Sequence, residues 1–167
     1  PRRAADSLRS PLTPDVRPTH PMSNVMPSWS LFRGWHAFTT VGAHRRVFVK
    51  LPGLFRPSPT ALAAFEALRD QYQSFLPAVQ ESLWSDYLAY REAVSAGEAT
   101  EGALVSVQGP SAISAHVTLV HVEMEPYGVA DTSQLGFDVA WDPDHTKGIT
   151  IEHGRVVHLN GSIRAWA

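Results

Sequence analysis

Residues 58–90, SPTALAAFEALRDQYQSFLPAVQESLWSDYLAY, carry an apolar pattern that repeats every three or four residues and decides the fold. Ser58 followed by Pro59 is typical of a helix start, because a serine oxygen caps free amides and proline loses no hydrogen bond at the first helical position. The apolar stripe comprises Leu62, Phe65, Leu68, Tyr72, Phe75, Leu76, Val79, Leu83, Tyr87 and Tyr90. The stripe keeps its phase across Pro77, which predicts one long helix kinked at Pro77 or a pair of helices that meet there. We expect the helix to end between Ala93 and Gly102.

On the N-terminal side of this helix, two runs of alternating residues predict a β-hairpin. Residues 35–41 and 47–51 alternate between the two faces of a strand, and Gly42 and Ala43 separate them. Pro52, Gly53 and Pro57 then end the strand pattern before the helix begins.

The chain after the helix is rich in strand-forming residues. We expect strands in residues 114–124 and 134–141, followed by two short runs in residues 148–159. His153 and Gly154 mark the last hairpin, which should place Ile151 opposite Val156 and Ile149 opposite His158. The order of these elements predicts an α+β fold, in which a long kinked helix or helix pair covers one face of an antiparallel or mixed β-sheet.

The N-terminal segment has a different composition from the rest of the chain. Six of the 13 prolines lie in residues 1–28, among small polar residues and few large apolar ones. Such a segment buries too little surface to offset its conformational entropy. We therefore divide the chain into a disordered or extended arm at residues 1–28 and a single α+β domain at residues 29–167.

Composition excludes several classes of protein. The 167 residues are 44% hydrophobic, which suits one globular domain, and they include no cysteine. A disulfide framework, a thiolate zinc site and a cysteine nucleophile are therefore excluded. No stretch approaches the roughly 18 apolar residues of a membrane span, and the arm does not resemble a signal peptide. We expect a cytoplasmic protein with no membrane partner.

Charge is distributed unevenly along the chain. Residues 1–57 contain nine Lys/Arg and two Asp/Glu, a net charge of +7, whereas residues 58–167 contain five and fourteen, a net charge of −9. An acidic body suits a partner with a basic surface. Aromatic residues near basic ones between Trp29 and Phe55 fit half-buried strands as well as a nucleic-acid platform, so the pattern does not favour nucleic-acid binding.

The spacing of His116 and His121 argues against a shared metal ion. His116 and His121 lie an odd number of residues apart on one predicted strand, which places them on opposite faces of the sheet. We therefore expect no metal ion and no other cofactor. Elements of nucleophilic or nucleotide-binding sites, such as G-x-S-x-G, the Walker loop and G-x-G-x-x-G, are also missing from the sequence.

One cluster combines carboxylates with an imidazole just after a predicted strand: Trp141, Asp142, Pro143, Asp144 and His145. Its chemistry suits a general base, an acid and base pair or part of a carboxylate–histidine metal site. A structural turn at Asp142 and Pro143 is the favoured interpretation, because Asp before Pro commonly initiates one. Trp141 is in phase with the apolar residues of that strand and is expected to anchor the core.

The segment 141–160, WDPDHTKGITIEHGRVVHLN, resembles the end of a group of small bacterial domains of unknown function with a C-terminal W-D-x-E-H-G-x-G-V motif. The matching positions are Trp141, Asp142, His145, Gly148, Gly154, Val156 and Val157, with Asp144 as a conservative replacement. The sequence departs from the motif at Pro143 and Thr146. The early hairpin and the long helix also resemble that group, which extends the similarity to residues 30–160.

The resemblance implies a binding protein rather than an enzyme, since such domains are often encoded in polymorphic-toxin loci and some are thought to be immunity proteins. We expect an immunity-type protein that neutralises a cognate toxin by occlusion, with Trp141, Asp142, Asp144 and His145 as candidate binding residues. One alternative is a metal-assisted hydrolase that uses Asp142, Asp144 and His145. Another is an adaptor domain of a larger secretion-associated protein, with the arm as its tether.

Overall fold

A computed structural model describes residues 28–30, 34–98 and 105–163. The predicted arm therefore lies outside the described residues, apart from Ser28. The described strands are β1 (Ser28–Ser30), β2 (Gly34–Val41), β3 (His44–Leu51), β4 (Val117–Met124), β5 (Thr132–Val139), β6 (Asp142–Glu152) and β7 (Arg155–Ile163). One α-helix, α1 (Pro59–Ser95), and two 3₁₀ helices, Pro110–His116 and Pro126–Gly128, complete the described elements.

These strands form a single seven-stranded sheet whose spatial order follows the chain from β1 to β7. Neighbouring strands are antiparallel except β3 and β4, which run parallel and pair Phe48 with His121 and Lys50 with Glu123. A parallel pair needs a long crossover, and α1 lies in that connection. The predicted mixed α+β class is confirmed.

The helix starts at the predicted position. The Ser58 hydroxyl oxygen accepts a hydrogen bond from the Ala61 amide, and Pro59 occupies the first turn. The described residues form one helix that continues through Pro77 to Ser95, so the alternative of a helix pair is wrong. No helix in the described ranges combines the length and apolar character that crossing a membrane would require.

Helix and sheet share one hydrophobic core, as the apolar stripe of α1 predicts. Every buried residue of α1 belongs to it: Ala61, Phe65, Leu68, Tyr72, Val79, Leu83 and Tyr87. The sheet contributes alternate residues of each central strand, including Val47 and Val49 from β3 and Leu135 and Phe137 from β5. The residues that repeat every two positions in the strands and every three or four in the helix therefore face the same core.

Several predicted strands differ from the structure at their ends, and the two on either side of the β4–β5 connection illustrate it. The first begins at Val117, because residues 114–116 belong to the preceding 3₁₀ helix. The second ends at Val139, and Trp141 lies in the turn that follows. The predicted Asp-Pro turn is consequently wrong: Asp142 pairs with Val139 and begins β6, so the turn consists of Ala140 and Trp141.

The last hairpin is confirmed at His153 and Gly154, but half of its predicted register is wrong. Ile151 pairs with Val156 as expected, whereas Ile149 pairs with Leu159 and His158 pairs with Thr150. A register irregularity between Thr150 and Ile151 causes the difference. An extra residue in one strand reverses which face later residues occupy, and alternation alone does not reveal it.

The turn between β2 and β3 approaches α1 closely at Gly42. This glycine has φ +56°, and a Cβ atom on it would lie 2.6 Å from Cδ1 of the buried Tyr72 ring. We expect Gly42→Ala to lower the free energy of unfolding by about 2–3 kcal/mol, because left-handed strain and overpacking add. Chemical denaturation measures the loss.

Gly154→Ala is the matched control, since Gly154 has φ +73° in the last hairpin and its Cβ would meet no atom within 4 Å. It should cost only about 1 kcal/mol, from backbone strain alone. Equal losses in the two variants would contradict a role for the Tyr72 contact.

Candidate functional site

The predicted cluster is part of a chain of charged contacts that ties α1 to β6. Trp141 donates its indole N–H to Oδ2 of Asp86 at 2.9 Å. The other oxygen of Asp86 lies 3.7 Å from Nζ of Lys147, which in turn lies 2.7 Å from Oδ2 of Asp142. Asp142 Oδ1 and His145 Nδ1 are 2.7 Å apart. We call Trp141, Asp86, Lys147, Asp142 and His145 the Asp86–Lys147 network.

Three elements bring these side chains together: the β5–β6 turn, β6 and α1. Because the β5–β6 turn is only two residues long, Trp141 lies at its tip and packs edge-to-face against Tyr87, with ring centroids 5.5 Å apart. Lys147 alternates in phase with the core residues Ile149 and Ile151, so its side chain extends toward the helix. Asp86 precedes Tyr87 on α1 and reaches the same region.

Burial and charge act in opposite directions on Asp142. Its side chain is 14% exposed, and removal from water opposes its ionisation. Hydrogen bonds and the positive charges of Lys147 and His145 outweigh that effect and hold the pKa of Asp142 below its ordinary value of 3.8. Asp142 is therefore an anion fixed by two partners.

The pH dependence of stability follows from this lowered pKa. A carboxylate whose pKa is lower in the folded state stabilises the fold above its unfolded pKa of 3.8, and that stability is lost as pH falls through the folded value. We expect Asp142→Asn to be less stable than the natural protein at neutral pH, with the difference shrinking below pH 3.8. Urea unfolding between pH 7 and 3 measures this difference.

Asp144→Asn is the control for this measurement, since Asp144 is an exposed neighbour on the same strand. Its free energy of unfolding should follow that of the natural protein across the range. A difference for Asp142→Asn that stays constant at every pH would contradict the assigned ion pairs.

The four predicted binding residues occupy very different positions. Trp141 is fully buried, so its ring makes no surface available to a partner. Asp142 is largely buried among its partners, whereas Asp144 is exposed and the His145 side chain is 53% exposed. The structure brings Asp142 and His145 together, as sequence proximity suggested.

Sequence reasoning missed Asp86 and Lys147. A signal for Lys147 was available, because a lysine in phase with Ile149 and Ile151 stands on an apolar face and needs a buried counterion. For Asp86 the signal was weaker, since one acidic residue beside a helical apolar stripe is common. Its contact with β6 depends on how helix and sheet pack.

In the Asp142–His145 pair a carboxylate orients an imidazole whose side chain is 53% exposed. Such a pair is suited to proton transfer when a substrate is placed beside it. Across the described residues, no group of three or more His, Asp or Glu side chains is arranged to hold a metal ion.

A second histidine–carboxylate contact lies elsewhere on the sheet. His121 is buried, stacks on Phe48 and places Nε2 3.8 Å from Glu123, which also accepts a 2.7 Å hydrogen bond from Lys50. The nearby His121 ring and the hydrogen bond and charge of Lys50 outweigh burial and lower the pKa of Glu123. The prediction that His116 shares a strand with His121 is wrong, because His116 ends the preceding 3₁₀ helix.

The opposite end of the sheet contains a cleft of about 430 Å³. It lies between the first half of α1, the end of β4, the start of β5 and the end of β6. Apolar side chains such as Leu68, Phe75 and Met124 line it, and its polar residues include Glu125 and Asp131. We call it the end cleft. It lies at the far end of β6 from the Asp86–Lys147 network.

Comparison with known proteins identifies one family. A family model described as a domain of unknown function (DUF6985) matches residues 54–163. No curated protein and no solved structure matches the chain. The matched range contains α1, the Asp86–Lys147 network and the end cleft. Resemblance to a domain of unknown function is thus confirmed, while the W-D-x-E-H-G-x-G-V motif and the link to immunity loci stay predictions.

Proposed function

This chain belongs to the DUF6985 family of domains of unknown function, and from the charge of that domain we propose that it is a bacterial immunity-type binding protein. It neutralises a cognate toxin by occlusion, in the cytoplasm, by covering a basic cleft of the toxin with an acidic surface. Occlusion requires a stable, complementary surface and no catalytic group on the inhibitor.

The observation that carries the proposal is the sign of the exposed charge. Residues 54–163 contain five Lys/Arg and fourteen Asp/Glu, a net charge of −9. Their single lysine, Lys147, is buried in the network and forms ion pairs with Asp86 and Asp142. The solvent-facing part of the domain is therefore strongly acidic, which favours fast association with a basic partner.

The surface best suited to this contact lies around the β5–β6 turn. Asp138 and Asp144 are exposed there beside His145, and we call these three residues the acidic edge. The network underneath fixes the backbone that presents them, because Asp142 holds His145 and is itself held by Lys147. A surface fixed before binding loses less conformational entropy when the complex forms.

Two measurements with the product of the adjacent gene test the proposal. The two proteins should co-purify as a complex, and co-expression of this chain should rescue cells from the toxicity of its neighbour. A neighbour that neither binds this chain nor is neutralised by it would overturn the proposal.

Charge reversal locates the contact within the acidic domain. We expect Asp144→Lys to slow association with the toxin roughly tenfold at low salt, because steering depends on the charges nearest the contact. Glu66→Lys, the reversal of another exposed acidic residue on α1, is the control and should have a smaller effect. Stopped-flow association rates at several salt concentrations measure both, and equal slowing would place the contact elsewhere.

The hydrolase that uses Asp142, Asp144 and His145 is the second candidate because Asp142 and His145 approach to 2.7 Å, although these three side chains do not group as ligands of one metal ion in the described structure. Metal analysis of the purified protein tests it directly. If this candidate is right, His145→Ala should abolish metal-dependent hydrolysis. Toxin binding by the same variant is measured in a separate assay. This candidate would be excluded if the purified protein contained no stoichiometric metal and His145→Ala left the cellular phenotype unchanged.

A further inference from the structure

Two large apolar side chains project into solvent from the loop that joins β3 to α1. Leu54 is 77% exposed and Phe55 is 90% exposed, and Arg56 follows them on the same exposed tip. Single exposed apolar residues are ordinary, whereas two adjacent ones on a loop tip combine into one apolar surface of the kind that a partner can cover.

The backbone of this loop is constrained at its base. The Ser58 amide donates a 2.7 Å hydrogen bond to the Pro52 carbonyl oxygen and closes the loop at its base. Gly53 has φ +142°, and a Cβ atom there would collide with the Arg56 carbonyl oxygen, so the chain passes over itself tightly. Because Pro57 also restricts the backbone, little further entropy is lost when the tip binds.

The end cleft has the complementary chemistry. Its apolar wall includes Leu68, Phe75 and Met124, while Glu125 and Asp131 supply carboxylates. No lysine or arginine occurs among the described residues that line it. An apolar pocket with carboxylates and no lysine or arginine suits a segment that carries apolar side chains next to one arginine.

The loop and the cleft lie on the same end of the molecule. Thr60, four residues after Arg56, already lines the cleft, and β3 ends beside the end of β4, where Met124 and Glu125 lie. The loop does not fill its own cleft, since Leu54 and Phe55 are exposed. Two adjacent, complementary surfaces on one chain are the requirement for a two-fold interface, in which each copy gives and receives the same contact.

We propose that this end of the molecule is a homodimer interface, in which Leu54, Phe55 and Arg56 of each copy enter the end cleft of the other. Leu54 and Phe55 pack against the apolar wall, and Arg56 pairs with Glu125 or Asp131. The interface leaves the acidic edge at the other end of the sheet free. It does not depend on the identity of any toxin, and its tests need only this chain.

The first test measures molar mass against protein concentration by sedimentation. The full chain should show a monomer–dimer equilibrium, and Phe55→Ser should raise the dimer dissociation constant at least about tenfold, since each substitution removes two anchors. Phe38→Ser is the control, because Phe38 is a 55% exposed aromatic residue on β2 away from this end. A natural protein that stays monomeric at every concentration, or equal weakening in both variants, would overturn the proposal.

A charge-swap experiment tests the pairing itself. Arg56→Glu and Glu125→Arg should each weaken self-association, because like charges then face each other twice in the dimer. Mixing the two variants should restore dimers, since both contacts of the mixed pair regain opposite charges. Circular dichroism checks that each variant folds, and Asp131→Arg replaces Glu125→Arg if that variant does not. Folded variants that fail to recover on mixing would overturn the assignment of loop to cleft.

Discussion

Replacing Trp141 with alanine is expected to lower the free energy of unfolding by about 3–5 kcal/mol, a large share of the stability of a domain this size. Trp141 is fully buried and touches the Tyr87 ring of α1. Its removal would leave a cavity between the β5–β6 turn and the helix. It would also remove the indole N–H that donates a 2.9 Å hydrogen bond to Asp86.

Trp29→Ala provides the matched comparison for this prediction. Trp29 lies on the edge strand β1 and is 52% exposed, so the same truncation should cost less than about 1 kcal/mol. Chemical unfolding followed by far-ultraviolet circular dichroism measures both variants without relying on tryptophan fluorescence. Losses of similar size would contradict the central position of Trp141.

Replacing Lys147 with methionine is expected to cost about 3 kcal/mol, because it leaves two carboxylates without their shared cation. The side chains of Lys147, Asp86 and Asp142 are 11%, 17% and 14% exposed, so water compensates poorly for the lost charge. Methionine keeps most of the lysine stem, which separates loss of charge from loss of packing. Urea unfolding at neutral pH measures the loss.

A double variant distinguishes an electrostatic loss from a packing loss. Lys147→Met with Asp142→Asn should be more stable than Lys147→Met alone, because one uncompensated carboxylate is removed. Additive losses would indicate that Lys147 acts through its packing. In that case the charges of the Asp86–Lys147 network would not be what holds α1 against β6.

The network and the proposed functions are connected through one strand. Asp142 and Lys147 stabilise the start of β6, from which Asp144 and His145 reach solvent. The same strand ends at the end cleft, where Ile151 contributes to the lining. The proposed toxin contact and the proposed dimer contact are therefore separated by the length of β6, and a substitution at one end should leave the other intact.

Elements defined by neighbours in sequence could be predicted well. The helix start depends on a cap between Ser58 and Ala61, and the helix itself depends on an apolar stripe that repeats within each turn. Hairpins at Gly42 and His153–Gly154 depend on residues that tolerate positive φ. The cap, the apolar stripe and the turn residues each involve only a few neighbouring residues, so each can be identified without knowing the rest of the fold.

Strand ends and register were predicted less well. Because of the irregularity between Thr150 and Ile151, His158 pairs with Thr150 and not with Ile149 as predicted. The turn at Ala140 and Trp141 makes β6 begin at Asp142, earlier than the predicted strand. Bulges are set by how neighbouring strands twist and pack, and alternation of residue types does not record them.

The sequence by itself therefore determined the long helix, the two hairpins and the acidic character of the domain, because capping, periodicity and charge are properties of local sequence. Only the tertiary structure decided that Trp141 is buried, that Lys147 meets Asp86 across helix and sheet, and that Leu54 and Phe55 stand beside the end cleft. Lys147 and Asp86 are far apart along the chain. Contacts of that kind arise from the packing of whole elements, which no short stretch of sequence specifies.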